Sequence, residues 1–409
     1  MMSWPTSHPY LRSLVALLVL GVAVTGFRRV HEHDHDSVVN SPLRLKLVPL
    51  LAPTKSVADY YVSPAGSDTN DGSQRHPWRT IQHATETVKA GVTVHVAPGS
   101  YSGAITTSRS GTATARIRFV SDVPWAAMIR ASSVDIIWTN LGNYTDIEGF
   151  DIAGNDPTTC NGIINYASYV RIVGNQVHDV GLDHVACKYG SGIVNHQNRA
   201  GHDNDIVGNR VHDVGDYAHA NALQHGIYHS NLRGHIWNNV VFRCAGWGIH
   251  LWHAANQVVI ANNTVFNNAN GGLLIGDGDD SGGFLNGVVN DYTIVINNIV
   301  YRNGQQSGAS GYGIEEYGRT GRHNQYLNNL VYQNGPKDWK LQNGITPRAT
   351  IENDPQFVNY QPDGTGDYRL RPTSPAIDAG SVPDSPNFGG HADIGAALAI
   401  GGQRPAPSL

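Results

Sequence analysis

The sequence predicts an all-β parallel solenoid. Three observations predict it: an asparagine that returns at intervals, a glycine–aliphatic pair that returns in step with it, and a composition built for turns. The asparagine recurs in "VRIVGNQVHDVG" (170–181), "NDIVGNRVHDVG" (204–215), "GHIWNNVVFRCAG" (234–246), "VVIANNTVFNN" (258–268), "TIVINNIVYRNG" (293–304) and once more at 329. Asn175, Asn209, Asn239, Asn263, Asn298 and Asn329 are thus equivalent, 24 to 35 residues apart. The shortest interval holds three short strands and three turns, one coil of a solenoid, and the longer ones are the same coil with loops inserted. Asparagine is poor in strands, so this one belongs to a turn. There it can adopt a left-handed or cramped conformation, and its amide can bond to the asparagines above and below.

The pair recurs in "GIINY" (162–166), "GIVNH" (192–196), "GIYHS" (226–230), "GIHLW" (248–252), "GLLIG" (272–276) and "GIEEY" (313–317). With Ile163, Ile193, Ile227, Ile249, Leu273 and Ile314 facing inward, alternation turns Ile164, Val194, Tyr228, His250, Leu274 and Glu315 to solvent. Tyr166, His196, Ser230, Trp252, Gly276 and Tyr317 follow in a second outward column. Alternation would also turn Glu316 inward, which implies that its strand has already ended. Glycine, at 46 of 409 residues, and charged residues, at only 15%, fit a turn-rich chain. The net charge of −5 argues against a nucleic-acid partner held by bulk electrostatics.

Taken in order, residues 1–27 contain "LRSLVALLVLGVAVTGF" (11–27), one basic residue and then an apolar run of secretory rather than spanning length. Export is expected, with an uncleaved anchor as the alternative. Residues 28–57 form a linker whose "HEHDHD" is expected to be a solvated tract rather than a metal site. The β-domain covers 58–400, and 401–409 is a tail. Within the domain, 58–88 supplies a strand and a short amphipathic capping helix from about Pro77, and "GVTVHVAPGSYSG" (91–103) begins the coils. "DPQFVNYQPDGTGDYRLRPTSPAIDAG" (354–380) is expected to be an atypical closing coil. Of three cysteines, Cys160 and Cys187 lie about one coil apart and are the better pair for a single bridge. Their spacing does not decide whether it forms.

The opening "YYVSPAGSDTNDGS…HPWRTIQHA", the Gly-Ile and Asn-Asn coils, and the closing "DPQFVN…DYRLRPTSPAIDAG" resemble secreted bacterial right-handed parallel β-helix proteins of the pectate-lyase-like superfamily. The resemblance covers about 58–400. It implies a right-handed β-helix, an exported location and a polysaccharide substrate, and leaves the reaction open.

The Gly-Ile strip is where chemistry is expected. Tyr228 and His250 should be neighbours, with His196, Trp252 and Tyr317 in the flanking column as sugar-stacking residues. The insertions "GLDHVACKYGS" (181–191) and "GDYAHANALQH" (215–225) should rise side by side as a wall, bringing Asp183, His184, Lys188, Asp216, His219 and His225 toward the strip. Arg199 and Arg233 stand at identical offsets in adjacent coils, with Arg319 at nearly the same one, a row suited to carboxylates of an acidic polymer. Asp277, Asp279, Asp280 and Glu315 could give Ca²⁺ its oxygen ligands. Each group also has a plain reading, as exposed strand residues, solvated turn arginines and a flexible acidic turn.

Three functions follow. A lyase would cleave a uronic-acid polymer by β-elimination. In it Arg199 and Arg233 would neutralise the carboxylate, His250 or Lys188, with His225 nearby, would be the base, and Tyr228 the acid. Lyases on this fold commonly use Lys or Arg with Ca²⁺, yet no clear basic residue stands among the strip's outward positions. A glycoside hydrolase would need a carboxylate pair, and Asp277, Asp279 and Glu315 are the near cluster. A carbohydrate-binding solenoid would need only the aromatic and arginine rows. A monomer is expected, free of membrane unless 11–27 stays uncleaved.

Overall fold

The computed structural model describes residues 56–277, 288–306, 308–381 and 393–396. The expected export signal, the "HEHDHD" tract, Asp279, Asp280 and the 401–409 tail lie outside the described residues.

The chain winds into three parallel sheets that run side by side. The first, ten-stranded, extends from Ala58–Val62 to Gln325–Leu327; the second, nine-stranded, from Gly99–Ser102 to Leu330–Tyr332; and the third, also nine-stranded, from Ile105–Thr107 to Trp339–Lys340. Each coil contributes one strand to each sheet. The shortest coil runs through Leu232–Trp237, Val240–Cys244 and Trp247–Leu251 before Asn256–Ala261 starts the next. The right-handed parallel β-helix and its stacked register are as the repeats require. Ile163, Ile193, Ile227, Ile249, Leu273 and Ile314 align rung upon rung and are fully buried.

The turn between the first and second sheets divides its labour between two residues. The left-handed position is taken by the residue ahead of the repeated asparagine: Gly174, Gly208, Asn238, Asn262, Asn297 and Asn328, all at φ between 49° and 65°. This corrects the expectation that the repeated asparagine itself turns. The following asparagine is buried, and its Nδ2 donates to the Oδ1 of the next one, from Asn175 through Asn209, Asn239, Asn263 and Asn298 to Asn329, at 2.9–3.1 Å. Backbone N–H groups of the same residues donate to those oxygens too. The amides are satisfied by one another, which is why so polar a column can lie inside. The Asn-Asn pair of the sequence is therefore one residue to turn and one to bond.

Glycine in the third sheet has a steric cause. A Cβ at Gly226 would lie 2.4 Å from Val241 Cγ1, and at Gly248 2.4 Å from Val265 Cγ1, with the same clash at Gly162, Gly192 and Gly272. Both the glycine and the isoleucine after it face the interior, so strict alternation fails by one residue. Ser191, His225 and Trp247, just ahead of the glycines, consequently lie on the outer face with the residues that follow the isoleucines.

Helix Ile81–Thr87 starts later than Pro77, at Thr80, whose hydroxyl accepts the His83 N–H. It covers the sheet edge as expected. Gln82 Oε1 accepts the Thr106 N–H of edge strand Ile105–Thr107 at 2.8 Å, and Arg109 Nε donates to Glu86 O at 2.7 Å. Two expectations fail. Residues 354–380 form no coil: Phe357–Asn359 pairs antiparallel with Asp367–Leu370 and lies on the outer face of the second sheet. There Phe242, Phe266 and Tyr301 offer an apolar stripe to Phe357, Tyr360 and Tyr368. Glu316 does not mark a strand end. It sits within Ile314–Gly318, buried, and accepts from Tyr326 Oη and Asn324 Nδ2 at 2.9 Å each and from the Gln342 N–H at 2.8 Å.

Candidate active site

On the outer face of the third sheet, register places Ile164, Val194, Tyr228, His250, Leu274, Glu315 and Lys340 in one column. Tyr228 and His250 meet edge to face, with ring centroids 5.2 Å apart. His225, set outward by the glycine offset, stacks on Tyr228 at 5.2 Å and meets the His250 ring at 4.2 Å. The nearest nitrogens of the two histidines, His250 Nδ1 and His225 Nε2, are 3.0 Å apart. Burial pushes the His225 imidazole down to about 3 and holds His250 well below its ordinary value, so both are neutral at pH 7. His250 Nε2 is buried with no hydrogen-bond partner among the described residues.

Two residues absent from the sequence reading complete the face. Trp247 reaches over Gly271, where a Cβ would lie 2.6 Å from its Nε1, and donates that N–H to Glu315 Oε1 at 3.1 Å. Lys340, one rung beyond Glu315, donates to Glu315 Oε2 at 3.3 Å and lies 4.9 Å above the Tyr312 ring. Burial pushes the Glu315 carboxyl up, opposed by the Lys340 ammonium and the Trp247 N–H. The strip thus does contain a basic residue. The signal for it was available: Trp339-Lys340 repeats the inward–outward pair one coil after Ile314-Glu315, with tryptophan in place of the aliphatic residue.

Trp252 and Tyr317 stack at 5.9 Å across Gly276, whose missing side chain leaves room for the indole. His196 packs on Tyr166 at 4.9 Å, and burial lowers it to about 4. Lys188 is exposed on its loop and makes no side-chain hydrogen bond or ion pair among the described residues.

The arginine row does not form. Gln197–Arg199 is a 3₁₀ turn, and after it the register pairs His202 with Leu232, so Arg233 lies beside Asp203 rather than Arg199. Arg233 holds Asp203 through both carboxylate oxygens, at 2.7 and 2.6 Å, on the first sheet. Arg199 is exposed in the turn. Nor do Asp277 and Glu315 make a shared oxygen site: Asp277 pairs with Arg319 at 3.0 Å, and Glu315 meets Trp247 and Lys340, so donors already occupy both.

The two insertions do rise together. Cys160 and Cys187 are bridged. Gln224 Nε2 donates to Gly181 O and Cys187 O, at 3.0 and 2.8 Å, binding one loop to the root of the other. On them His184, Asp216 and His219 form a group able to hold a metal ion, their ligand atoms all within 4.8 Å of one another.

Among solved structures, pectate lyase Pel9A superposes with a TM-score of 0.56 at 17% identity, over 83% of this chain and 96% of that one. The fold is a right-handed parallel β-helix, as in that lyase. A glycoside hydrolase shares this β-helix at a TM-score of 0.51 and 9% identity, over 73% of this chain and 97% of that one. At such identities the likeness is one of fold. A family described as "Protein of unknown function (DUF1565)" matches residues 64–108. An uncharacterized protein of Bacillus subtilis (strain 168), YwoF, is 47% identical over 55 residues, 13% of this chain and 12% of that protein's length. No helix among the described residues is long and apolar enough to cross a membrane.

Proposed function

We propose that this β-helix is a polysaccharide lyase that cleaves an acidic, uronate-containing polymer by β-elimination on the outer face of the third sheet. One observation carries the reading: a neutral, partnerless imidazole nitrogen, a tyrosine and a lysine share one column. With the His250 Nδ1 proton donated to His225, Nε2 keeps its lone pair and takes the C5 proton. The rings of Tyr228, Trp247 and Trp252 close around His250 and part to admit the sugar. Lys340, bonded to Glu315 and three rungs along the column, reaches back to meet the uronate carboxylate and makes that proton acidic. The C5–H electron pair forms the C4–C5 double bond, the C4–O bond breaks, and Tyr228 gives its proton to the leaving oxygen. Lys340 takes the neutralising part first assigned to Arg199 and Arg233.

A hydrolase reading has less support, because Glu315 is the lone carboxylate in the column and Asp277 is bound to Arg319. The fold's use by a pectate lyase fits the proposal. The test is a panel of polyuronates read by ultraviolet absorbance of the unsaturated product. A rise supports elimination. New reducing ends without absorbance would mean hydrolysis, and retention on a polysaccharide gel with neither product would mean binding alone.

A further inference from the structure

We infer that the loop wall carries a binding site for a borderline divalent transition ion of the zinc type, formed by His184, Asp216 and His219. Both imidazoles present Nδ1 to one oxygen, Asp216 Oδ2, at 3.1 Å from His184 and 2.6 Å from His219. Their rings lie nearly parallel at 4.4 Å. Zinc bonds to nitrogen and oxygen are about 2.0–2.2 Å, so tetrahedral ligands sit about 3.3 Å apart; both nitrogen–oxygen pairs lie within about 0.7 Å of that spacing, and all three ligand atoms lie within 4.8 Å of one another.

The donors select the metal class. Two imidazole nitrogens and one carboxylate oxygen suit zinc-like ions, whereas Ca²⁺ gathers about six to eight oxygens. Among the described residues no further carboxylate joins the group: Asp183 Oδ1 accepts the N–H groups of Val185 and Ala186, closing its own turn.

The support is built. The His184 loop is anchored by the Cys160–Cys187 bridge and by Asp183 N–H to Pro157 O at 2.9 Å. The Asp216 loop is closed by His219 N–H to Asp216 O at 2.9 Å, and Gln224 ties the two. Side-chain exposures of 45% for His184 and 63% for His219 leave the site open to solvent, with room for a water or a substrate oxygen as a further ligand. An ion here would clamp together the two loops that lead into Gly190–Asn195 and Gln224–His229, the strands bearing Val194 and Tyr228.

The full chain is titrated with Zn²⁺ by calorimetry after His31, His33 and His35 are changed to glutamine, which removes the imidazoles of "HEHDHD". One Zn²⁺ per chain is expected, undisturbed by excess Ca²⁺, and His184→Ala and His219→Ala should each weaken it at least about 10-fold. Circular dichroism without metal, unchanged in both variants, separates lost ligation from lost folding. No Zn²⁺ uptake by the parent, binding unaltered in both variants, or displacement by Ca²⁺ would each overturn the assignment.

Discussion

The outer faces of the second and third sheets look alike in sequence and differ in what their residues still lack. On the second, His178, His212, Phe242 and Phe266 stack at centroid distances of 5.0, 4.8 and 5.0 Å. On the third, His225, Tyr228, His250 and Trp252 form a similar cluster. Yet His178 is bound by Asp151 and Asp179, which more than offset its burial and leave it at about 9. His212 is bound by Asp213, and the chain's own antiparallel pair covers the phenyl rings. Among the described residues no such pair covers the third face. Its histidines face each other rather than carboxylates, and His250 Nε2 has no hydrogen-bond partner among those residues. Aromatic and histidine content alone does not separate the two faces; the proposed site rests on an imidazole nitrogen without a hydrogen-bond partner beside a tyrosine.

That contrast can be broken or sharpened. The largest expected effect is on catalysis: His250→Ala should lower kcat/KM on the cleaved polyuronate by about 10²–10⁴-fold, with Tyr228→Phe similar, while His212→Ala leaves it unchanged. Equal losses at His212 and His250 would erase the distinction. The covered face should answer in stability instead. Phe266→Ala, fully buried under the C-terminal pair, should cost about 3–5 kcal/mol in chemical denaturation, with activity per folded molecule retained. Interrupting the shared scaffold at Asn263→Ala removes the acceptor of the Asn239 backbone N–H and Nδ2 and one donor to Asn298 Oδ1, and should cost about 1–3 kcal/mol.

The smallest effect is on pH dependence. His225 is depressed to about 3 in the folded chain, so the unfolded chain binds its proton first as pH falls. Stability is therefore complete above about pH 6.5 and declines toward pH 3, by up to about 1.4 kcal/mol per unit for this histidine. Denaturation at about pH 7 and about pH 5 should show a shallower slope in His225→Phe. An unchanged slope would mean the imidazole is already protonated when folded.

Much of this was legible in the sequence because a solenoid converts interval into contact. The Asn and Gly-Ile columns, the Tyr228–His250 contact and the paired loops all follow from residues 24 to 35 apart lying over one another. What stayed hidden depended on local departures from that period. The 3₁₀ turn at Gln197–Arg199 moved Arg233 opposite Asp203. Paired inward residues at each glycine carried His225 and Trp247 to the outer face, and the two-residue strand at Lys340 lacked the glycine that announces the others. The antiparallel pair at 357–370 answered an outward stripe of Phe242, Phe266 and Tyr301, whose need for cover no interval expresses.

The most direct measurement is a crystal structure of His250→Ala soaked with an acidic oligosaccharide that the native chain cleaves. Sugar rings lying across Tyr228 and Trp252, with a carboxylate on Lys340 Nζ, are the expected result. Sugar seated along the His178–His212 stack, with the third sheet bare, would contradict it.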